Sequence, residues 1–183
     1  KLPRLDVNET NSAIRGAIIA KDNYVAANSV KLYKVSVDAR SIDKNKLDLF
    51  VRLYCIYTGD SEKRVKSAIE GSGGTTVLSY KIDAKTEVHL KELAYKLNLK
   101  KVFVSFMGSN GRLNPPIRMS VTESGEKRSY NVGDSLTPLI GYINKKEVDG
   151  ITKVSGIKGI EKYYEYYLAP VRDEFIVGPR DIG

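Results

Sequence analysis

The chain has no tryptophan, one cysteine and one histidine in 183 residues. The single Cys55 excludes an internal disulfide and a cysteine-rich metal site. The single His89 excludes a multi-histidine metal site, and a Ser-His-Asp triad would have to use it. It sits in Val88-His89-Leu90 inside a predicted helix, where a surface or boundary histidine is the plain reading. No metal and no cofactor is expected. No apolar run approaches the ~20 residues of a membrane helix. There is no signal peptide and no starting methionine, so Lys1 reads as a cut end. The net charge is +8, but the lysines are interleaved with acids, as between Lys81 and Lys101. There is no arginine-rich block, zinc-finger spacing or RNA-recognition signature. A solvated basic surface therefore fits better than a nucleic-acid interface.

What is present reads as a mixture of strands and helices. Lys1 to Ser12 is an extended lead-in. Residues 13–20 predict a strand, closed by the turn Lys21-Asp22-Asn23, with Tyr24 to Ala27 as a short returning arm. Val30 to Val37 predicts a second strand with a bulge or an imperfect face at Tyr33-Lys34. Asp43 or Asn45 can cap a helix carrying Leu47, Phe50, Val51 and Tyr54, and Ser61 a shorter one closed by Gly71. Gly71-Ser72-Gly73-Gly74 is a helix-to-strand turn, not a phosphate cradle, because no lysine-Ser/Thr pair or helix follows it. Thr75 to Ile82 predicts a strand. Asp83 then caps the clearest helix, with Leu90, Leu93, Ala94 and Leu97 at i, i+3, i+4 and i+7. Lys101 to Phe106 predicts another strand, and 108–116 an irregular connection. Ile117 to Thr122 and Lys127 to Tyr130 predict a hairpin turning at 123–126. Asn144 to Gly150 reads as a polar loop. Ile160 to Leu168 predicts one unbroken amphipathic helix stopped by Pro170, with Ile160, Tyr163, Tyr164, Tyr167 and Leu168 along one side. Glu174 to Val177 is a last short strand. Without a strict βαβ repeat the class is α+β. One domain is expected over 1–183, with a helical subdomain at about 40–106.

Serine acyl transfer is the enzymatic chemistry to test: S-x-x-K, S-x-N and K-[ST]-G. S-x-x-K occurs at Ser41–Lys44, Ser124–Lys127 and Ser155–Lys158 and S-x-N at Ser129-Tyr130-Asn131, matches that chance explains in a chain rich in serine and lysine. None opens a buried apolar helix, and K-[ST]-G is absent. Asp22, Asp38, Asp43, Asp60, Asp134 and Asp149 all fall in predicted caps or turns.

Three segments carry a resemblance. Arg15-Gly16-Ala17-Ile18 with Asp22-Asn23 and Ala26-Ala27 resembles the first box of class B penicillin-binding proteins, without the usual glycine in the turn. Arg128-Ser129-Tyr130-Asn131-Val132-Gly133 with Leu139 to Ile143 (including Gly141) resembles the second, with Asn131 in place of proline. Gly156-Ile157-Lys158-Gly159-Ile160-Glu161-Lys162-Tyr163-Tyr164 resembles the third. They come in the family order. The resemblance implies the non-catalytic periplasmic pedestal, or dimerisation, domain of a peptidoglycan D,D-transpeptidase. The compact spacing between boxes is similar to that of the cell-division type.

It further implies an upstream single transmembrane helix in the inner membrane and a downstream transpeptidase domain that binds penicillin, both outside this chain. Implied partners are that transpeptidase domain, membrane proteins of cell-wall synthesis and division, and a second copy of the chain, but no nucleic acid. The motif residues expected to matter are Arg15, Gly16, Arg128, Gly141, Gly156, Gly159 and Glu161. An Arg15–Glu161 fork would tie the first box to the third; the alternative is two unrelated surface charges. Tyr163, Tyr164, Tyr166 and Tyr167 offer a partner surface, against a role in the protein's own core. Two other functions stay open: an autonomous serine acyl-transferase acting on peptidoglycan, and a basic polyanion binder.

Overall fold

The computed structural model describes residues 13–133, 136–148 and 151–170. Its elements run β1 (Ile18–Ile19), β2 (Val25–Asp38), α1 (Leu47–Thr58), α2 (Glu62–Glu70), β3 (Thr75–Ile82), α3 (Ala84–Leu99), β4 (Phe106–Met107), β5 (Leu113–Asn114), β6 (Ser120–Tyr130), α4 (Thr137–Ile140), β7 (Ile143–Val148), β8 (Ile151–Gly156), α5 (Gly159–Tyr163) and α6 (Glu165–Leu168). The class is α+β. The described residues divide into two compact units, the larger within 30–127 and 147–153 and the smaller made of the other described residues. The expected 40–106 subdomain falls inside the larger unit, within wider bounds. The lead-in at 1–12, the strand at 174–177, Asp134 and Asp149 lie outside the described residues.

In the larger unit β3 runs antiparallel to β2, from Tyr33↔Ile82 to Asp38↔Thr75. The register shifts on either side of Val35, so the irregular face read at Tyr33-Lys34 is a bulge. Val35, Val37, Leu78 and Ile82 bury their side chains among Phe50, Tyr54, Leu90 and Leu97 from the helices. The Asp83 carboxylate accepts the Thr86 N–H at 2.7 Å and starts α3. Asp43, not Asn45, is the cap before α1, placed on a short 3-10 turn.

Asp38 closes the end of β2 from inside. Its side chain is fully buried and accepts from Arg40 Nη2 at 2.7 Å, Arg40 Nε at 2.9 Å and the Arg40 N–H at 3.0 Å. The Arg40 hydrogen bonds outweigh burial and hold the Asp38 carboxyl below its ordinary range. A depressed folded pKa adds stability that is full above the unfolded value, about 3.9, and is lost as pH falls through the folded one. Urea midpoints measured from pH 6 down to pH 2 are expected to fall less steeply in Asp38→Asn than in the parent.

Five sequence expectations are corrected. The strand at 13–20 shrinks to Ile18–Ile19, because the Gly16 N–H donates to the Leu168 carbonyl at 2.8 Å instead of a sheet partner. Tyr24 to Val37 is not an arm plus a strand: Val25–Asp38 is one strand. The hairpin at 117–130 is one continuous strand, Ser120–Tyr130; Gly125 takes φ 142 within it, so the glycine is a strand irregularity and not a turn. Of the loop expected at 144–150, residues 144–148 belong instead to β7, which pairs with β8. The strand at 101–106 reduces to a single bridge, Ile42↔Phe103, because the Val102 carbonyl and Val104 N–H bond to the irregular Ser41–Asp43 segment.

Candidate functional site: a buried ion cluster

Arg15, Arg128 and Glu161 meet in the smaller unit with side chains no more than 1% exposed. Arg15 Nε donates to Glu161 Oε2 at 2.7 Å, and Arg15 Nη2 to the Glu161 main-chain oxygen at 2.8 Å. Arg128 Nε takes the other carboxylate oxygen, Oε1, at 2.8 Å. Its Nη1 donates to the Gly16 carbonyl at 2.7 Å. Glu165 Oε2 completes the group, 2.7 Å from Arg15 Nη2 and accepting the Gly156 N–H at 2.7 Å. The expected Arg15–Glu161 fork is present as a shared carboxylate with two arginines.

Local structure explains the placement. Ser124, Glu126 and Arg128 alternate along β6 and face inward, so period two carries Arg128 to the buried side. Glu161 lies in α5 and Glu165 opens α6, and the carboxylates of both reach Arg15. Burial opposes the charge on Arg15, but hydrogen bonds to Glu165 and Glu161 prevail and raise its pKa. Glu165 is held below its ordinary range against its own burial by Arg15 and the Gly156 N–H. Burial, then the Glu161 charge, lifts the Tyr130 pKa, so its phenol stays neutral near pH 7.

The motif glycines build the frame. A Cβ on Gly141 would run into the Lys158 carbonyl, and one on Gly156 into the Glu161 carbonyl. One on Gly159 would stand 2.5 Å from the Leu139 oxygen and 2.7 Å from the Gly141 nitrogen. Two stretches of bare backbone therefore pack directly on each other. Gly16 is less constrained; its Cβ would meet Leu168 Cδ2 at 3.5 Å, an ordinary contact.

The single helix expected at 160–168 is two short ones, interrupted at Tyr164. The buried residues are Glu161 and Leu168, not the tyrosines. Tyr163, Tyr164, Tyr166 and Tyr167 are 81%, 46%, 87% and 78% exposed, so a place in the protein's own core is corrected. Their rings form a chain with centroids 4.9, 6.2 and 5.4 Å apart.

Sequence reasoning missed Glu165, although its i+4 spacing from Glu161 was the available signal. It also missed the convergence of Arg128 on Glu161. The S-x-x-K serines are separated from such chemistry. Ser41 is buried, its hydroxyl donating to the Val104 carbonyl at 2.8 Å and accepting the Ile117 N–H at 2.7 Å. Ser124 donates to the Tyr80 carbonyl at 2.8 Å. Ser155 lies exposed on β8.

The fold and this cluster define an α+β structural module whose separate segments are locked by shared buried charge. The chain matches the family model of the penicillin-binding protein dimerisation domain over residues 10–178, and it belongs to that family, a non-catalytic part of transpeptidase proteins. It is similar in structure to penicillin binding protein 2X from Streptococcus thermophilus, with TM-score 0.63 and 14% identity over 86% of this chain and 23% of that one. A peptidoglycan synthetase from Bifidobacterium adolescentis aligns with TM-score 0.47 and 18% identity, covering 86% of this chain and 28% of that one. Penicillin-binding protein PBP2 from Helicobacter pylori, solved in complex with MreC, aligns with TM-score 0.47 and 13% identity over the same shares, 86% and 28%. The chain spans about a quarter of the length of the solved chains it matches. It matches no curated protein.

Proposed function

We propose that this chain is the pedestal of a class B peptidoglycan transpeptidase of the cell-division type. Its work is mechanical and associative. It holds a transpeptidase domain off the membrane on the periplasmic face and receives partners from the septal wall-synthesis machinery. In that setting a single transmembrane helix precedes it. The supporting observation is the Arg15–Glu161–Arg128 cluster, which joins one residue from each of the three boxes. The exposed row Tyr163, Tyr164, Tyr166 and Tyr167 is then the side offered to a partner protein.

Among the described residues no helix is long and apolar enough to cross a membrane. Activity of the chain itself is tested with a fluorescent penicillin. The purified chain is expected to take no covalent label, while the full-length gene product is labelled. Label on the chain at Ser41, Ser124 or Ser155 would replace the pedestal by an autonomous acyl-transferase. Depleting the gene separates division from elongation: filaments without septa support the division type, and rounded cells that still divide exclude it.

A further inference from the structure

The larger unit carries a cleft of about 460 Å³ between the 39–47 segment and the end of α2, within the ~300–1,000 Å³ range of ligand pockets. Its wall is aliphatic. Ala39, Ile42, Leu47 and Ile69 line it, and Ile42 and Ile69 are held in the core at 3% exposure each. Three charged residues join them: Arg40, Lys44 and Glu70. Arg40 is fixed before any ligand arrives. Asp38 takes its Nε and Nη2 at 2.9 and 2.7 Å, and its guanidinium carbon stands 4.5 Å from the centroid of the Phe106 ring. Nη1 is left without a partner among the described residues, and the side chain is still 42% exposed. Lys44 is exposed and makes no ion pair among the described residues, whereas Lys46 and Lys66 each make one. Glu70 meets Lys66 only at 4.0 Å and is 55% exposed. The Ser72 hydroxyl on the same wall is already used, donating to the Gly74 carbonyl at 2.9 Å.

We infer that this cleft takes the free C-terminus of a partner polypeptide that ends in an aliphatic residue such as leucine. The terminal carboxylate meets Lys44 and the open Nη1 of Arg40, as charge-assisted hydrogen bonds require. The last side chain lies on Ile42, Leu47 and Ile69, and the last peptide N–H goes to Glu70. Other chemistries answer fewer of these groups. A nucleotide base finds no aromatic ring in the lining. A phosphate dianion is opposed by Glu70. A free aliphatic acid has no N–H for Glu70 to accept. Because Asp38 and Phe106 already hold Arg40 in place, little side-chain freedom is lost on binding. The site uses no residue of the ion cluster or of the tyrosine row. It goes beyond the pedestal reading and does not depend on it.

The test is an NMR titration of the ¹⁵N-labelled chain with an N-acetylated pentapeptide ending in leucine, as the free acid and as the C-terminal amide. The acid is expected to bind with a Kd of about 0.1–1 mM and to shift the amides of Ile42, Lys44 and Ile69. The amide form is expected to bind at least about 10-fold more weakly, because the charged end is gone. Lys44→Gln is expected to weaken the acid about 10-fold with no change in thermal midpoint, since the side chain is exposed. Lys63→Gln, exposed on α2 and outside the cleft, is expected to bind as the parent does. Equal binding of acid and amide, or a Lys44→Gln chain with parental affinity, would overturn the inference. So would 4-methylpentanoate binding as tightly as the peptide, which would make the cleft a small-acid site. Shifts confined to Tyr163–Tyr167, or no saturable shift by about 10 mM peptide, would overturn it as well.

Discussion

Glu161→Ala is expected to destabilise the domain by about 3–5 kcal/mol, the cost of removing one partner from a buried ion pair. The carboxylate is fully buried and serves Arg15 and Arg128 at once. Its loss strands Arg128 Nε outright. Arg15 keeps Glu165, whose side chain is 35% exposed, and the main-chain oxygen of residue 161, but loses its buried carboxylate. Native domains are stable by about 5–15 kcal/mol, so this is a large share, equivalent to a fall of roughly 10 °C in Tm. Glu92→Ala is the control: its pair with Lys96 is exposed on both sides, 58% and 59%, and exposed pairs contribute little. A further variant separates charge from packing. Replacing Arg15, Arg128 and Glu161 together by Met, Met and Leu, with Glu165→Gln to remove the carboxylate that Arg15 also pairs, is expected to recover most of the loss, because no charge of the cluster is then left without a partner. Urea denaturation of the three variants gives the comparison. A Glu161→Ala midpoint no lower than that of Glu92→Ala would show that the cluster does not hold the smaller unit together.

The second large effect is expected at Gly141. Its φ of 79° and ψ of −155° lie in a region that essentially only glycine adopts, worth about 1–3 kcal/mol to any other residue. A Cβ there also enters the Lys158 carbonyl, and the obstacle is backbone, which cannot swing aside. Gly141→Ala is therefore expected to lose at least about 3 kcal/mol. Gly133→Ala, where a Cβ meets nothing within 4 Å, is expected to change stability by less than about 0.5 kcal/mol. Equal urea midpoints for the two variants would mean that the backbone contact between Leu139–Gly141 and Lys158–Gly159 is not tight in solution.

These two sites show what could be read from the chain and what could not. The i, i+3, i+4, i+7 spacing of Leu90, Leu93, Ala94 and Leu97 identified α3 because a helix's own period is written locally. Asp83 marked its start for the same reason. The ordered boxes brought Arg15, Gly141, Gly159 and Glu161 to notice. Local pattern could not show that Arg128 shares the Glu161 carboxylate, because that contact depends on β6 running unbroken through Gly125. The glycine in Glu123-Ser124-Gly125-Glu126 looks like a turn, and only pairing with β2 keeps the strand straight. The helix at 160–168 failed for a related reason. Its periodicity rests on Ile160, Tyr163, Tyr164, Tyr167 and Leu168, but of these only Leu168 is buried, and Glu161, outside that pattern, turns inward. β7 and β8 were missed because Asn144-Lys145-Lys146-Glu147 carries no apolar alternation to mark a strand.

The separation of Arg15 from Glu161 sets an order of events during synthesis. The two residues are 146 positions apart, and a chain emerges from its N-terminus. Arg15 has no carboxylate to meet until residue 161 has appeared, whereas the helices and paired strands at 30–127 find their partners within that stretch. The smaller unit is therefore closed after the larger, by a latch whose two halves are made 146 positions apart. Until that moment its first segment must wait, charged and solvated, while the rest of the domain assembles.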